Sequence, residues 1–259
     1  MSSFRSFTPD GIDALLPVSL RLHREWRSAL ETLSYGGALP PLPPALREAL
    51  RDVAGVDVAH DPGGIDPFAS PAFGILSSRL RAEQVLRAVS GRTNLTLAGT
   101  TVAVVGDGLL AEALATSLRT LGAAVIRATD APLTTLAARL DGYRVQPLQE
   151  LSSRDTPVHL TVLTGEGHGP LPVDALAGLV ADASPGGAPT AGLRTSPSSR
   201  PFVGEVGRAS LVEMPSPLPE ADVPTSSAQW RLLDALIALL LLDRHAAGDD
   251  DRFAREVTP

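Results

Sequence analysis

The 259-residue sequence has no cysteine, and none of its 22 basic residues is a lysine. The first absence excludes disulfides, thiolate zinc sites, iron–sulfur clusters and cysteine nucleophiles. The second leaves arginine as the sole cationic side chain other than histidine. Arginine stays protonated and serves neither as an ordinary proton donor nor as a Schiff-base amine. Aromatics are scarce at 4%, against a hydrophobic fraction of 44%. The core is therefore built from Ala, Leu and Val, as in α/β layers, and the chain is not a disordered one. The net charge is −7, and no basic patch is interleaved with aromatics. That balance excludes a nucleic-acid interface. Long apolar runs are missing too: residues 232–242, which include Asp234, are too short to span a bilayer. MSSFRSFTPDG, at the N-terminus, has no apolar signal-peptide core. A cytoplasmic protein is expected.

The length suffices for one full core, or for one domain with an appendage. Thr8-Pro9-Asp10 has the chemistry of a helix start, and apolar residues recur near helical spacing from Ile12 to Leu33. A helix is expected to about Tyr35, where Gly36-Gly37 ends it. Residues 38–44 (ALPPLPP) read as a stiff linker, and 45–53 as a short helix. Residues 54–73 read as a loop and 77–90 as an amphipathic helix. Strands are expected at 101–105, 123–128, 143–145, 158–163, 179–183, 202–206 and 209–213, with helices at 108–121, 132–140 and 226–244. Strands and helices alternating at this spacing form parallel βαβ units with right-handed crossovers. The expected organisation is a helical segment over 1–75, a Rossmann-type doubly wound parallel sheet over 76–245, and a polar, frayed tail over 246–259.

Residues 98–112 (AGTTVAVVGDGLLAE) carry the strongest local signal. Five apolar or β-branched residues form a strand buried on both faces, and Gly106-Asp107-Gly108-Leu109-Leu110-Ala111 follows. Strand, glycine turn and helix in that order make the phosphate-cradling element of a dinucleotide fold. Gly106 permits the turn. Gly108 lets a pyrophosphate approach the backbone at the helix N-terminus, where free N–H groups point outward. Ala111 stands where a third glycine is usual and still allows close helix–strand packing.

LAGTTVAVVGDGLLAEALATSLRTLGAAVI (97–126) and ARLDGYRVQPLQEL (138–151) resemble the NAD-binding domain of S-adenosylhomocysteine hydrolase. The similarity runs over about residues 82–244. DGYRV at this distance from the glycine turn separates that family from the 2-hydroxyacid dehydrogenases. The resemblance implies NAD as cofactor, held by Gly106, Asp107, Gly108, Leu109 and Leu110 at the pyrophosphate. It further implies Thr129 and Asp130 at the adenine ribose, and Thr164 and Gly165 at a Thr-Gly turn touching the cofactor.

The departures from the family are chemical. Its catalytic lysine and aspartate lie upstream of the helix that leads into the turn, and this chain has neither there. Its carboxylate at the end of the second strand falls on Thr129, with Asp130 one residue later, on the opposite face of a strand. Arg127 is a candidate for a 2′-phosphate, or an edge residue. Glu166 stands in place of an asparagine. Asp107, Glu112 and Glu166 all oppose a dianionic ligand unless they point away. The family's long substrate domain and its tail bearing lysine and tyrosine have no counterpart here. No adenosylhomocysteine hydrolysis is expected.

The other chemistry is sparse. His168 with Glu166, beyond a strand C-terminus, is the one acid–base candidate, set against a solvated loop histidine. His159 reads as a structural strand residue and His23 as a polar helix edge. HDPGGID (60–66) is a turn before it is a metal site, and no metal is expected. The aspartates 249–251 read as a solvated tail. The apolar helices at 10–35 and 226–244 suit self-association, and a homodimer is expected. Three functions remain open: an accessory or redox protein, of specialised metabolism, that binds NAD(H) or a related adenine compound; a non-catalytic dimeric scaffold or partner of another enzyme with a degenerate nucleotide site; and a small dehydrogenase of the 2-hydroxyacid type.

Overall fold

A computed structural model describes residues 11, 14–26, 30–151, 158–172, 175–190, 193–220, 225–245 and 249–258. The expected helix start at Thr8 lies outside them. The chain divides into two units, Met1–Leu80 with Ser216–Pro259, and Arg81–Pro215.

The first unit contains α1 (Pro17–Trp26), β1 (Glu31–Tyr35), α2 (Pro44–Ala54), β2 (Val56–His60) and the start of α3 (Pro71–Thr93). It ends with α6 (Ser227–Arg244) and α7 (Asp250–Val257). Three expectations are corrected here. The segment read as the end of a long helix is strand β1, in which Glu31, Leu33 and Tyr35 alternate inward. The segment read as loop contains β2, which pairs in parallel with β1 through Leu33↔Val58. The tail is helical: Asp249 caps α7, and Phe253 is fully buried.

Helix α6 belongs to this unit. It opens with a capping box of Ser226 and Gln229. Apolar residues on almost every face reflect deep burial, and 232–238 are buried without a break. Asp234 is buried in the same helix and satisfies the start of α1. Its carboxylate accepts N–H bonds from Val18 (3.1 Å) and Ser19 (2.8 Å) and the Ser19 hydroxyl proton at 2.6 Å.

The second unit has a mostly parallel sheet. Its strands are β3 (Thr101–Val105), β4 (Ala124–Ala128), β5 (Arg144–Gln146), β6 (Leu160–Leu163), β7 (Gly178–Asp182), β8 (Ser196–Pro197), β9 (Val203–Val206) and β10 (Ala209–Val212). The order is β5-β4-β3-β6-β7-β10-β9-β8, with antiparallel pairs only at β10–β9 and β9–β8. Strand order reverses between β3 and β6, the point at which open α/β sheets take ligands. On one face, Val102 and Val104 pack with Val85 and Val89 of α3 and with Leu114 and Leu118 of α4 (Leu109–Thr120). On the other, Ala103, Val105 and Val180 pack with Leu151 and Leu176. Helix α5 (Pro132–Leu140) follows β4. The doubly wound class holds, with the N-terminal appendage corrected to a mixed α/β unit.

Candidate functional site

Gly106 follows β3 at the C-terminal edge of the sheet, beside the switch point. Its φ of +138° lies where side chains are rarely tolerated, and a Cβ there would overlap Thr164 Oγ1. Thr164 is buried at the end of β6 and donates its hydroxyl to the Val105 carbonyl at 2.9 Å. Gly106 and Thr164 thus seal the two strands against each other where the order reverses. Gly108 is the N-cap of α4.

The N-terminus of α4 carries an anion already. Glu166 reaches over the turn, and its two oxygens accept N–H bonds from Leu110 (3.0 Å) and Ala111 (2.9 Å). A Cβ on Gly108 would meet the Glu166 carboxyl carbon at 2.5 Å. The Glu166 carbonyl also accepts the Asp107 N–H at 3.1 Å. Bonds from N–H groups to a charged carboxylate each contribute about 1.5–3 kcal/mol, with a further ~0.3–1 kcal/mol from the helix dipole. The turn, the space over Gly108 that the Glu166 carboxyl fills and the donors of Leu110 and Ala111 fit a diphosphate, with the Glu166 carboxylate standing in for it.

Asp107 turns away from this seat and accepts the Thr129 hydroxyl proton. Thr129 is buried, and its oxygen also accepts the Ala131 N–H at 2.9 Å. Asp130 is exposed and caps the Leu148 N–H at 3.0 Å. Asp107 and Thr129 are thus bonded to each other, and Asp130 is bonded to the segment that follows β5. Arg127 is no edge residue: it is 3% exposed and donates to the Gly106 carbonyl at 3.0 Å. Its guanidinium braces the turn from within, and a 2′-phosphate has no access to it. Leu109 and Gly165 are exposed beside the seat.

His168 and Glu166 are not joined as an acid–base pair. The His168 ring accepts the Gly165 N–H at 3.3 Å and lies 2.9 Å from the Gly169 carbonyl. His159 accepts the Thr101 N–H at 3.1 Å, a structural role at the strand starts. In HDPGGID, Asp61 closes its turn through the Gly63 N–H, and Asp66 caps a short helix. No group of three or more metal-ligating residues occurs among the described residues.

Sequence reasoning missed Asp182. Buried at the end of β7, it binds Ser184 and Thr190 through both backbone and hydroxyl groups at 2.6–3.1 Å. The loop so fixed lies under Gly165, whose Cβ position is 3.0 Å from the Ser184 Cβ. An aspartate closing a strand before Ala-Ser is the one signal that could have marked it.

Residues 80–168 match the family model described as S-adenosyl-L-homocysteine hydrolase, NAD binding domain. The match covers roughly a third of the chain and contains β3 to β6, the glycine turn and Glu166. It supports NAD as the cofactor class for which this part of the sheet is built. No curated protein matches the chain. Among solved structures, a dipicolinate synthase from Bacillus subtilis is 16% identical over 93% of this chain and 71% of its own, with a TM-score of 0.49. Transhydrogenase from Sinorhizobium meliloti is 15% identical over 81% of this chain and 68% of its own, with a TM-score of 0.46. A dipicolinate synthase from Bacillus halodurans is 16% identical over 57% of this chain, at a TM-score of 0.41. The matched region spans half the length of that protein. No helix among the described residues is long and apolar enough to cross a membrane.

Proposed function

We propose that this chain binds NAD(H) or a related adenine compound in an accessory or redox role, without hydrolysing adenosylhomocysteine. The glycine turn carries the reading: Gly106 lets the chain turn tightly against Thr164, and at Gly108 any side chain would enter the space a diphosphate needs, above the N–H groups of Leu110 and Ala111. Leu110 and Ala111 would hold the diphosphate, and Thr129 with Asp130 would border the adenosine. Thr164 and Gly165 would border the nicotinamide half. A bound nicotinamide would supply a hydride acceptor or donor. Hydrolase chemistry needs a proton-abstracting lysine, and this sequence has none.

The second reading, a non-catalytic scaffold, is favoured by the Glu166 carboxylate on the seat. The homodimer stays part of both readings. Its surface is not α6, whose apolar residues are enclosed within the first unit. Thermal denaturation with NAD, NADH, NADP, adenosine and adenosylhomocysteine separates the readings. A ligand at 100 times its dissociation constant stabilises the fold by about 2.7 kcal/mol. A shift with NAD or NADH, abolished in Gly108→Asp, is the expected outcome. Unchanged melting with all five ligands would sink the binding reading, and native mass spectrometry counts the protomers.

A further inference from the structure

We infer that Glu166 is a built-in competitor for the diphosphate seat, so that a dinucleotide binds only as this carboxylate withdraws. The inference rests on the nucleotide-binding reading and adds to it the residue that sets the affinity. Three observations place the carboxylate on the seat and not merely near it. Its oxygens take one donor each, Leu110 N–H at 3.0 Å and Ala111 N–H at 2.9 Å. Its carboxyl carbon fills the space that Gly108 leaves by having no Cβ, 2.5 Å from where that atom would stand. The backbone of Glu166 is pinned independently of its side chain: its carbonyl accepts from Asp107, and its N–H donates to Thr164 Oγ1 at 3.3 Å.

That last point makes the contact a latch. Backbone bonds hold the loop in place while the side chain rotates, so displacement need not unfold the turn. Gly165 and Gly167 flank the residue at φ +75° and +73°, in conformations that fix the direction of the Glu166 side chain toward α4. A tethered carboxylate keeps a high effective concentration at the helix N-terminus, and any diphosphate must outcompete it. Two negative groups on the same pair of donors repel each other, so the two states exclude one another.

The test compares the full-length protein with Glu166→Ala and Glu166→Gln by isothermal titration with NAD. Inorganic pyrophosphate is added in parallel melting experiments. The alanine variant is expected to bind NAD at least tenfold more tightly than the natural chain, a change of about 1.4 kcal/mol. The glutamine variant, which keeps the bulk and loses the charge, falls between them. Pyrophosphate raises the melting temperature of Glu166→Ala and leaves that of the natural chain unchanged. Equal NAD affinity in all three proteins overturns the latch and leaves the binding reading standing. Failure of NAD to bind any of them overturns both. If the alanine variant does not fold, the amide resonances of Leu110 and Ala111 in the natural chain decide. They shift on saturation with NAD if the carboxylate is displaced, and static resonances overturn the inference.

Discussion

A phenol and a carboxylate show how the first unit answers to pH. Tyr35 is fully buried at the end of β1 and donates to the Pro40 carbonyl at 2.6 Å. Burial pushes its hydroxyl from 10.0 up to about 12. The folded state thus holds its proton where the unfolded chain has already lost it. Stability is complete below pH 10 and falls as pH rises toward 12, by roughly 2–3 kcal/mol in total at ~1.4 kcal/mol per unit. Tyr35→Phe is expected to lose about 1 kcal/mol at neutral pH, from the missing hydrogen bond, and to show a shallower alkaline decline. Urea denaturation at pH 7 and between pH 10 and 12 measures both. An unchanged alkaline slope in the variant would assign that decline to other groups.

Helices α1, α3 and α7 each begin on a carboxylate, Asp234, Asp250 and Asp249 in turn. Burial raises the Asp234 carboxyl, against the opposing effect of its bonds to Ser19 and Val18. A raised carboxyl binds its proton more tightly in the folded state. Its contribution therefore diminishes as pH rises from the ordinary carboxylate range through the folded value. Asp234→Ala leaves two N–H groups of α1 without a partner and is expected to destabilise the protein by about 1–3 kcal/mol. That pH-dependent component should vanish with it, as chemical denaturation from pH 4 to 8 would reveal. Helix α7 is anchored by Phe253, and Phe253→Ala is expected to cost about 3–5 kcal/mol. A loss below about 1 kcal/mol would show the helix to be dispensable.

These elements also show what could be read from sequence. Strand β3, the turn and α4 were legible because a five-residue apolar run, two glycines and an Ala/Leu periodicity agree with one another. Strand β1 was not: in ETLSY the leucine sits three residues from Leu30, a spacing that suits a helix equally well, and the partner strand that decides the matter lies 25 residues away. The acidic tail misled for a related reason. Asp249 caps its own helix, whereas Asp250 accepts from Ser70 at 2.5 Å and caps α3, a contact 180 residues distant. Glu166 was legible as a negative charge near the seat. Its place on the Leu110 and Ala111 donors depends on two glycine conformations, which composition does not encode.

At the scale of the whole molecule, the family frame and the absent lysine pull in opposite directions. The matched segment supplies a sheet edge, a glycine turn and a helix N-terminus, which suffice to hold a cofactor. Adenosylhomocysteine hydrolysis asks for more: oxidation of a ribose hydroxyl, abstraction of a proton and elimination of the thiol. Arginine cannot take the proton at neutral pH. Beyond β6, the His168 ring is engaged with Gly165 and Gly169, and the Glu166 carboxylate is engaged with Leu110 and Ala111. The protein loaded with NAD is therefore expected to release no homocysteine from adenosylhomocysteine, as a thiol-reactive dye would record against a background free of protein thiols. Glu166→Ala is the decisive partner in that assay. It opens the seat without adding a base, so it should gain NAD affinity and still release no thiol. Thiol release by either protein would show that a base other than lysine completes the site, and the non-hydrolytic reading would fall.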